Sequence, residues 1–330
     1  MKDKMATAKN TVEAPGIPPS FWRFIWDTSA VHQFWLIALS AIVFGLAAAP
    51  LEIQRRIVNS AVRGGDAAGI FWLAGIYLGV SLGGGLTKMA VNIYRGWVGE
   101  SVLRNLRANI DENIQIDPAQ PGAAEAEGVE MSMLVAEAEP VGQFAGSATS
   151  EPVLQGGLLL SILGYMVFLQ PLMALLVLGV LAPQMIFVPL MQRAINRRAA
   201  ARIKVLRGVS IAIVRHPEAT GDARQRRRFD EAFELNMGIY KLKFSMNFLM
   251  NFMHQIGVCG VLALGGWLVV AGRTEVGTIV AFISGLAEIN GPWGDLVNWF
   301  RDMQVSRVKY GLISQAVAKP VTKSSMTGRA

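Results

Sequence analysis

Six long apolar segments constrain what this 330-residue chain can fold into more than any other feature. A transmembrane helix needs about 20 mostly apolar residues, within a range of about 17–25. The segments that meet this requirement are residues 34–50, 67–91, 153–169, 172–191, 247–270 and 278–300. A soluble fold can hold one or two such segments in its core. Six of them predict an all-α membrane protein with six transmembrane helices.

The composition excludes several other classes of protein. Hydrophobic residues make up 52% of the chain and charged residues 17%, whereas soluble proteins carry about 25% charged residues. A single cysteine, Cys259, rules out a disulfide scaffold. There are three histidines and no HExxH motif, so a membrane-embedded enzyme is the least favoured class. The net charge of +7 indicates positively charged loops beside a membrane and not a nucleic-acid partner.

The distribution of lysine and arginine predicts the orientation in the membrane. The termini and the long segments 92–152 and 192–246 lie on one side and hold 26 of these residues. The short connections 51–66, 170–171 and 271–277 lie on the other side and hold four. Because positively charged loops stay in the cytoplasm, both termini are predicted there, in a multi-pass protein of the cell (inner) membrane.

The ends of the chain are predicted to lie outside the membrane domain. Residues 1–19 are expected to be a disordered tail, 20–316 the membrane domain, and 317–330 a flexible tail. Within the domain, Ser20 is a candidate N-cap residue, and Trp22 and Trp26 follow it. Tryptophan at this density is typical of a membrane–water interface, which predicts a short helix on the membrane surface before the first span.

The two long cytoplasmic segments are predicted to be helical extensions of the neighbouring spans. Unstructured loops of 55 to 60 residues are uncommon. Helix-breaking residues cluster at 117–122 and 216–222, and each cluster predicts a turn between two long helices.

The two segments carry opposite net charges, −7 for 92–152 and +8 for 192–246. Three interpretations stay open: charged faces that attract each other in a shared helical bundle, an acidic partner bound by residues 224–228, or anionic lipid.

A local motif and the order of elements together resemble a known family. The motif joins the fifth and sixth spans and reads Gly265-Gly266-Trp267-Leu268-Val269-Val270, then Gly272, then Gly277-Thr278-Ile279-Val280-Ala281-Phe282. Gly291-Pro292 resembles the break in the family's sixth span. The chain is similar, over about residues 20–316, to the transmembrane domain of ABC exporters of the type IV (type I exporter) fold.

The resemblance implies partners and contact sites. Members of this family form dimers of transmembrane domains, and two cytoplasmic coupling turns dock into the ATPase domains. The positions that the resemblance assigns to these turns are Ile116, Asp117, Pro118 and Gln120 in the first, and His216, Pro217, Glu218, Gly221 and Asp222 in the second. The implied partners are an ABC ATPase subunit, a second copy of the chain or a related transmembrane subunit, and membrane lipids.

The sequence contains no phosphate-binding loop. Such a loop requires Gly-x-x-x-x-Gly-Lys-Ser/Thr, which does not occur in the chain. No cofactor and no catalytic site are therefore expected here, and ATP and Mg²⁺ are expected on a separate ATPase subunit or on a further domain of a longer chain. The alternative function is an ATP-independent secondary transporter or channel, although such proteins usually have short loops.

Polar residues within the predicted spans are candidates for a translocation pathway. A charge at mid-bilayer costs at least about 2.5–3.5 kcal/mol, so each should face protein or water. The candidates are Asn251, His254, Gln255, Glu288 and Asn290. For His254 the alternative is an interhelical hydrogen bond. For Asn251 and Gln255, which share one face of the fifth span, the alternative is a role in helix packing. The substrate is expected to be lipid-like, an amphipathic peptide or a hydrophobic cation.

Gly75, Gly79 and Gly83 recur at every fourth position of the second span. They place a flat stripe on one helix face and predict the close approach of another helix.

Overall fold

The chain forms eight α-helices and no strand in the residues that the computed structural model describes, which are Pro18 and residues 20–113, 137–215 and 223–318. The helices are α1 (Phe21–Leu46), α2 (Ala49–Val62), α3 (Ala67–Asn113), α4 (Ala138–Ser147), α5 (Ser150–Leu169), α6 (Pro171–Arg215), α7 (Ala223–Val270) and α8 (Val276–Ala318). The all-α prediction is confirmed for these residues.

Five helical stretches are long and apolar enough to cross a membrane, as expected for a multi-pass membrane protein. They are Phe21–Val62, Ala67–Glu112, Ser150–Leu169, Pro171–Leu206 and Gln225–Val270. The sixth predicted span lies within the continuous helix α8 but is not among them. Polar residues such as Glu288, Asn290 and Asp295 lower its hydropathy, so the number six stays a prediction.

The N-terminal segment that the sequence predicts to lie on a membrane surface is helical and forms the first two turns of α1. Ser29 has non-helical dihedral angles (φ −141°, ψ 17°) and bends α1 there. Phe24 and Ile25, before the bend, are buried, whereas Trp22 and Trp26 are exposed. One face of this segment therefore packs on protein, and its tryptophans remain available to a membrane surface.

The fourth and fifth predicted spans continue as helices far beyond membrane length, as the sequence indicated. Helix α5 ends at Leu169 and α6 starts at Pro171, so a tight turn joins them. Residues 192–215 of α6 and 223–246 of α7 extend past the predicted spans by 24 residues each, about 36 Å of helix. We call these two ranges the arm.

Helices α6 and α7 pair along the arm. Arg198 Nη1 donates a 2.7 Å hydrogen bond to the Gly238 carbonyl oxygen, and Arg202 Nη1 donates one of 2.7 Å to Asn236 Oδ1. The sequence separations of these pairs show that the two helices run antiparallel.

The chain divides into two compact units, each with its own apolar core. The first unit comprises Met1–Leu46, Ser81–Leu158 and Pro292–Ala330, and the second Ala47–Val80 and Leu159–Gly291. In the first unit, α1, α3, α4, α5 and α8 bury a cluster that we call the bundle core; it includes Phe24, Leu36, Leu106, Ile110, Phe144, Leu154 and Tyr310. In the second, α2, α5, α6, α7 and α8 bury Leu51, Met166, Met173, Val261, Phe282 and Leu286, among others.

Glycines allow the backbones of α3 and α4 to touch within the bundle core. A Cβ atom on Gly146 would overlap the Arg95 carbonyl oxygen and lie 3.0 Å from the Gly99 nitrogen. One on Gly142 would lie 3.1 Å from the Gly99 carbonyl oxygen. This contact needs small residues on both helices, and no local pattern in the sequence predicts it.

In the second unit, the structure explains two glycines of the motif on which the family resemblance rests. Gly272 has a positive φ of +67°, and its N–H and that of Arg273 bond back to the carbonyls of Val269 and Leu268, closing the end of α7. A Cβ on Gly277 would overlap the Arg55 carbonyl oxygen, so α2 and the start of α8 require glycine there.

The glycine stripe of the second predicted span is open. A Cβ atom on Gly75, Gly79 or Gly83 would meet nothing within 4 Å, and no residue from 67 to 90 is buried. The close helix contact that the stripe predicts is therefore not made by the described residues of this chain.

Candidate functional site

The predicted coupling turns lie outside the described residues. Ile116, Asp117, Pro118 and Gln120 fall in 114–136, and His216, Pro217, Glu218, Gly221 and Asp222 fall in 216–222. They stay predictions, and the arm is the described structure that leads to the second turn.

Arginines of the arm bind oxygen atoms of the arm itself. Arg228 Nη1 donates a 2.9 Å hydrogen bond to the Gly208 carbonyl oxygen, in the same manner as Arg198 does to Gly238. Arg226 and Arg227 are exposed beside it. Arg228 precedes residue 247, where the fifth predicted span begins, by about 28 Å of helix. The acidic-partner and lipid interpretations of residues 224–228 both stay predictions.

The predicted pathway residues of α7 differ in burial. Asn251 and Gln255 are exposed, whereas His254 is half-buried. The His254 Nδ1 atom is buried and has no hydrogen-bond partner among the described residues. The interhelical hydrogen bond considered for His254 is therefore not formed at Nδ1.

On α8, Glu288 is exposed and Asn290 is half-buried. Leu286, one turn before Asn290, is buried and packs toward Gly257 of α7, where a Cβ atom would lie 2.6 Å from Leu286 Cδ2. Asn290 follows Leu286 by four residues and shares its face, while Glu288 falls on the other side of the helix. Only Asn290 therefore shares the packed face.

A further polar residue, Gln184, was missed by the sequence analysis. Its side chain is 3% exposed and lies in α6 between Pro183 and Pro189. Its Nε2 atom is buried and unpartnered among the described residues. The available signal was a lone amide side chain flanked by two prolines within an apolar span.

The packing of α6, α7 and α8 brings three of these residues to one level of the second unit. A Cβ atom added to Gly260 of α7 would lie 3.0 Å from the side chain of Leu176 in α6. One added to Gly257 would lie 3.5 Å from the side chain of Val180. One turn further along this antiparallel pair, Gln184 lies level with His254.

Gly257 of α7 also meets Leu286 of α8. Asn290 follows Leu286 by one helical turn and His254 precedes Gly257 by one, so Asn290 lies level with His254. We call Gln184, His254 and Asn290 the polar junction. The structure thus groups two of the five predicted pathway residues with one that was not predicted.

A second polar group, which we call the short-loop network, ties α2 to the start of α8. Arg55 Nη1 donates to Glu275 Oε2 at 2.7 Å, and Asn59 and Arg63 also bond that carboxylate. Asn59 Oδ1 accepts a 2.7 Å hydrogen bond from the Gly277 N–H. Glu52 pairs with Arg55 at 2.8 Å and accepts from the Tyr165 hydroxyl at 2.6 Å, which adds α5. These residues satisfy one another, so the network fixes helix positions.

A third polar group joins α3, α5 and α8 in the first unit. Arg95 forms an ion pair with Glu151, and its Nε donates to Ser150 Oγ at 3.0 Å. Gln155 Nε2 lies 2.7 Å from Glu151 Oε1 and 3.1 Å from Asp295 Oδ2. Residues that meet across 55 to 140 positions leave no pattern in the sequence, which is why this group was not predicted.

The polar junction differs from the other two groups in its chemistry. Its buried donor and acceptor atoms can bind and orient a molecule through hydrogen bonds. In the described part of the chain, no three His, Cys, Asp or Glu side chains are grouped so that they could hold a metal ion. No protein-family model matches the chain, and no curated protein is significantly similar to it.

Proposed function

We propose that the chain is the transmembrane permease half of an ATP-driven exporter of the ABC type IV fold. It works by alternating access, with ATP hydrolysed by a separate subunit or domain. The main support is the arm: two continuous helices run about 36 Å beyond the predicted spans toward residues 216–222, where the sequence predicts a coupling turn. Secondary transporters usually have short loops and helices broken within the membrane. A long paired extension is suited to receive force from a soluble partner.

The surface of the arm supports the proposal that a second copy of the chain completes the transporter. Val209 and Ala232 are the only buried side chains among those described in the arm. Aromatic residues four or seven positions apart are exposed along α7, including Phe229, Phe233, Tyr240 and Phe244. Large apolar surface in water marks an interaction site. We expect the two arms of a homodimer to pack across to the other copy.

In this proposal α8 provides the sixth span, and both termini lie in the cytoplasm. The membrane is the cell (inner) membrane. Because the junction and its surroundings are apolar apart from a few amide and imidazole groups, the substrate is expected to be hydrophobic, lipid-like or an amphipathic peptide.

Copurification with an ATPase tests the proposal. The chain is expressed with its genomic neighbours, extracted in mild detergent and examined for a bound ATPase subunit. We expect a stable complex whose ATPase activity falls when Pro118 or Pro217 is changed to Gly, with Pro320→Gly as the matched control outside both turns. Purified chain that transports solute in ATP-free liposomes, without any ATPase, would contradict the proposal.

A further inference from the structure

We propose that the polar junction binds the carbonyl oxygen of an uncharged amide or ester group on an otherwise apolar molecule. This inference rests on the proposed function, because it assigns the recognition site for the molecule that the transporter moves. It names one class of substrate and the three residues that recognise it.

Within the part of the chain that the structure describes, two buried nitrogen atoms of the junction lack a hydrogen-bond partner, which a ligand could supply. Gln184 Nε2 and His254 Nδ1 lie at one level on facing helices, and neither has a hydrogen-bond partner among the described residues. A polar group left unpaired in an apolar surrounding carries a free-energy cost, which a bound partner removes. Gln184 lies 13 residues into α6, about 20 Å from its first residue, and thus within a hydrocarbon core about 30 Å thick.

The chemistry of the three side chains selects a neutral acceptor. The amide Nε2 of Gln184 can only donate, and the imidazole of His254 also donates when its proton is on Nδ1. A carbonyl oxygen has two lone pairs and can accept both bonds. The amide of Asn290 can then bond the N–H of an amide ligand or remain solvated. The neighbours Val180, Gly257 and Leu286 are apolar, so nothing on this packed face would balance a charge.

The junction lies beside an exposed surface of α7. His254 is half-buried, and Asn251 and Gln255, on the adjoining surface, are exposed. Pro183 and Pro189 interrupt the intrahelical hydrogen bonds of α6 on either side of Gln184. Helix α6 can therefore bend at this level to admit a ligand beside His254.

The three histidines of the chain make a direct measurement possible. The purified full chain, labelled with ¹⁵N-histidine, is placed in lipid nanodiscs, and the His254 resonances are assigned by their loss in His254→Gln. The probes are N-dodecylacetamide for the amide, dodecyl acetate for the ester, and tetradecane as a chain without a carbonyl. We expect a saturable shift of the His254 Nδ1 resonance with a carbonyl probe and none with tetradecane. If N-dodecylacetamide and dodecyl acetate shift the resonance to different extents, the larger shift shows whether the site prefers the carbonyl of an amide or of an ester.

The variant Gln184→Leu keeps a similar volume and removes the donor. We expect it to weaken binding of the carbonyl probe about tenfold, the effect of losing one hydrogen bond to a neutral group. Gln192→Leu on the same helix is the control, because Gln192 bonds Asn196 at 3.1 Å on an exposed face; it should leave binding unchanged.

Three results would overturn the inference. They are equal shifts with tetradecane, no saturable shift with either carbonyl probe, and a His254 resonance that Gln184→Leu alters without ligand while the probes have no effect. The last would show that the two side chains bond each other. The measurement uses neither ATP nor an ATPase, so its failure would leave the exporter proposal to be judged by copurification.

Discussion

The bundle core of the first unit and the arm of the second differ in how completely each is stabilised within one chain. The bundle core buries large side chains from five helices, and backbone contacts at Gly142 and Gly146 and the Arg95–Glu151 pair add to it. The arm has two helices, two buried side chains among those described, and an exposed aromatic face. The difference indicates that the bundle core is a scaffold and that the arm is built to pack against another surface. Four substitutions test this comparison.

The largest effect is expected at the ion pair of the bundle core. Glu151→Leu leaves the Arg95 guanidinium, 16% exposed, without its carboxylate. Removing one partner of a buried pair costs about 3 kcal/mol or more. The thermal unfolding midpoint in detergent, followed by tryptophan fluorescence, should fall by many degrees.

Two controls accompany this variant. Glu139→Leu alters an exposed carboxylate that bonds Gln143, and it should change stability by less than about 0.5 kcal/mol. Adding Arg95→Met to Glu151→Leu should recover part of the loss. Equal effects of Glu151→Leu and Glu139→Leu would show that the pair does not stabilise the scaffold.

A smaller loss is expected from Gly146→Ala. The added methyl overlaps the Arg95 carbonyl oxygen and pushes α3 and α4 apart, at a cost of about 1–3 kcal/mol. Gly96→Ala is the matched control, because its Cβ would meet nothing within 4 Å, and helical propensity predicts a slight gain in stability. Chemical unfolding of both variants measures the difference, and a stable Gly146→Ala would disprove the close contact.

Tyr310→Phe should have a modest effect. The Tyr310 hydroxyl donates to the Pro18 carbonyl oxygen, and losing this bond costs about 1 kcal/mol. Burial raises the pKa of Tyr310 above its usual value of 10. Its contribution to stability is therefore complete below pH 10 and is lost as the pH rises above 10. Unfolding measured from pH 8 to 11 should show a weaker loss of stability at high pH in the variant than in the unchanged chain.

The smallest effect on the stability of one chain is expected in the arm. Phe233→Ser, at a side chain 63% exposed, should change it by less than about 0.5 kcal/mol. The same change at the buried Phe24 of the bundle core should be strongly destabilising. If the arm packs on a second copy, Phe233→Ser will instead lower the dimer fraction in size-exclusion chromatography with light scattering. A large loss of single-chain stability would show that the arm is already packed within its own chain.

Much of the fold was predictable because hydrophobic length and helix breakers act locally. The proline-free run from Ile195 to Val214 indicated that the helix of the fourth span continues beyond it, and the tight turn at Gln170 followed from two adjacent apolar segments. Gly272 and Gly277 were recognised as part of a motif, and the reason for them, a left-handed turn and a backbone contact, became visible in the structure.

The candidate site was predicted less well. Asn251, Gln255 and Glu288 were grouped with His254 because all are polar and lie in spans, yet they are exposed on other faces. Gln184 was overlooked, although it is the most buried member of the polar junction. Helical period gives the angle of a residue on its own helix, but the face that a neighbouring helix covers depends on packing.

The sequence by itself determined the all-helical class, the membrane character and the continuation of the fourth span as a long helix. These follow from side-chain transfer energies and backbone preferences, which each segment carries independently of the rest. The tertiary structure alone decided that Arg95 meets Glu151, that Gly146 touches α3, and that Gln184, His254 and Asn290 share a level. Such contacts join residues that are far apart in the chain. Their energies arise only when particular helix faces pack together, so no local pattern records them.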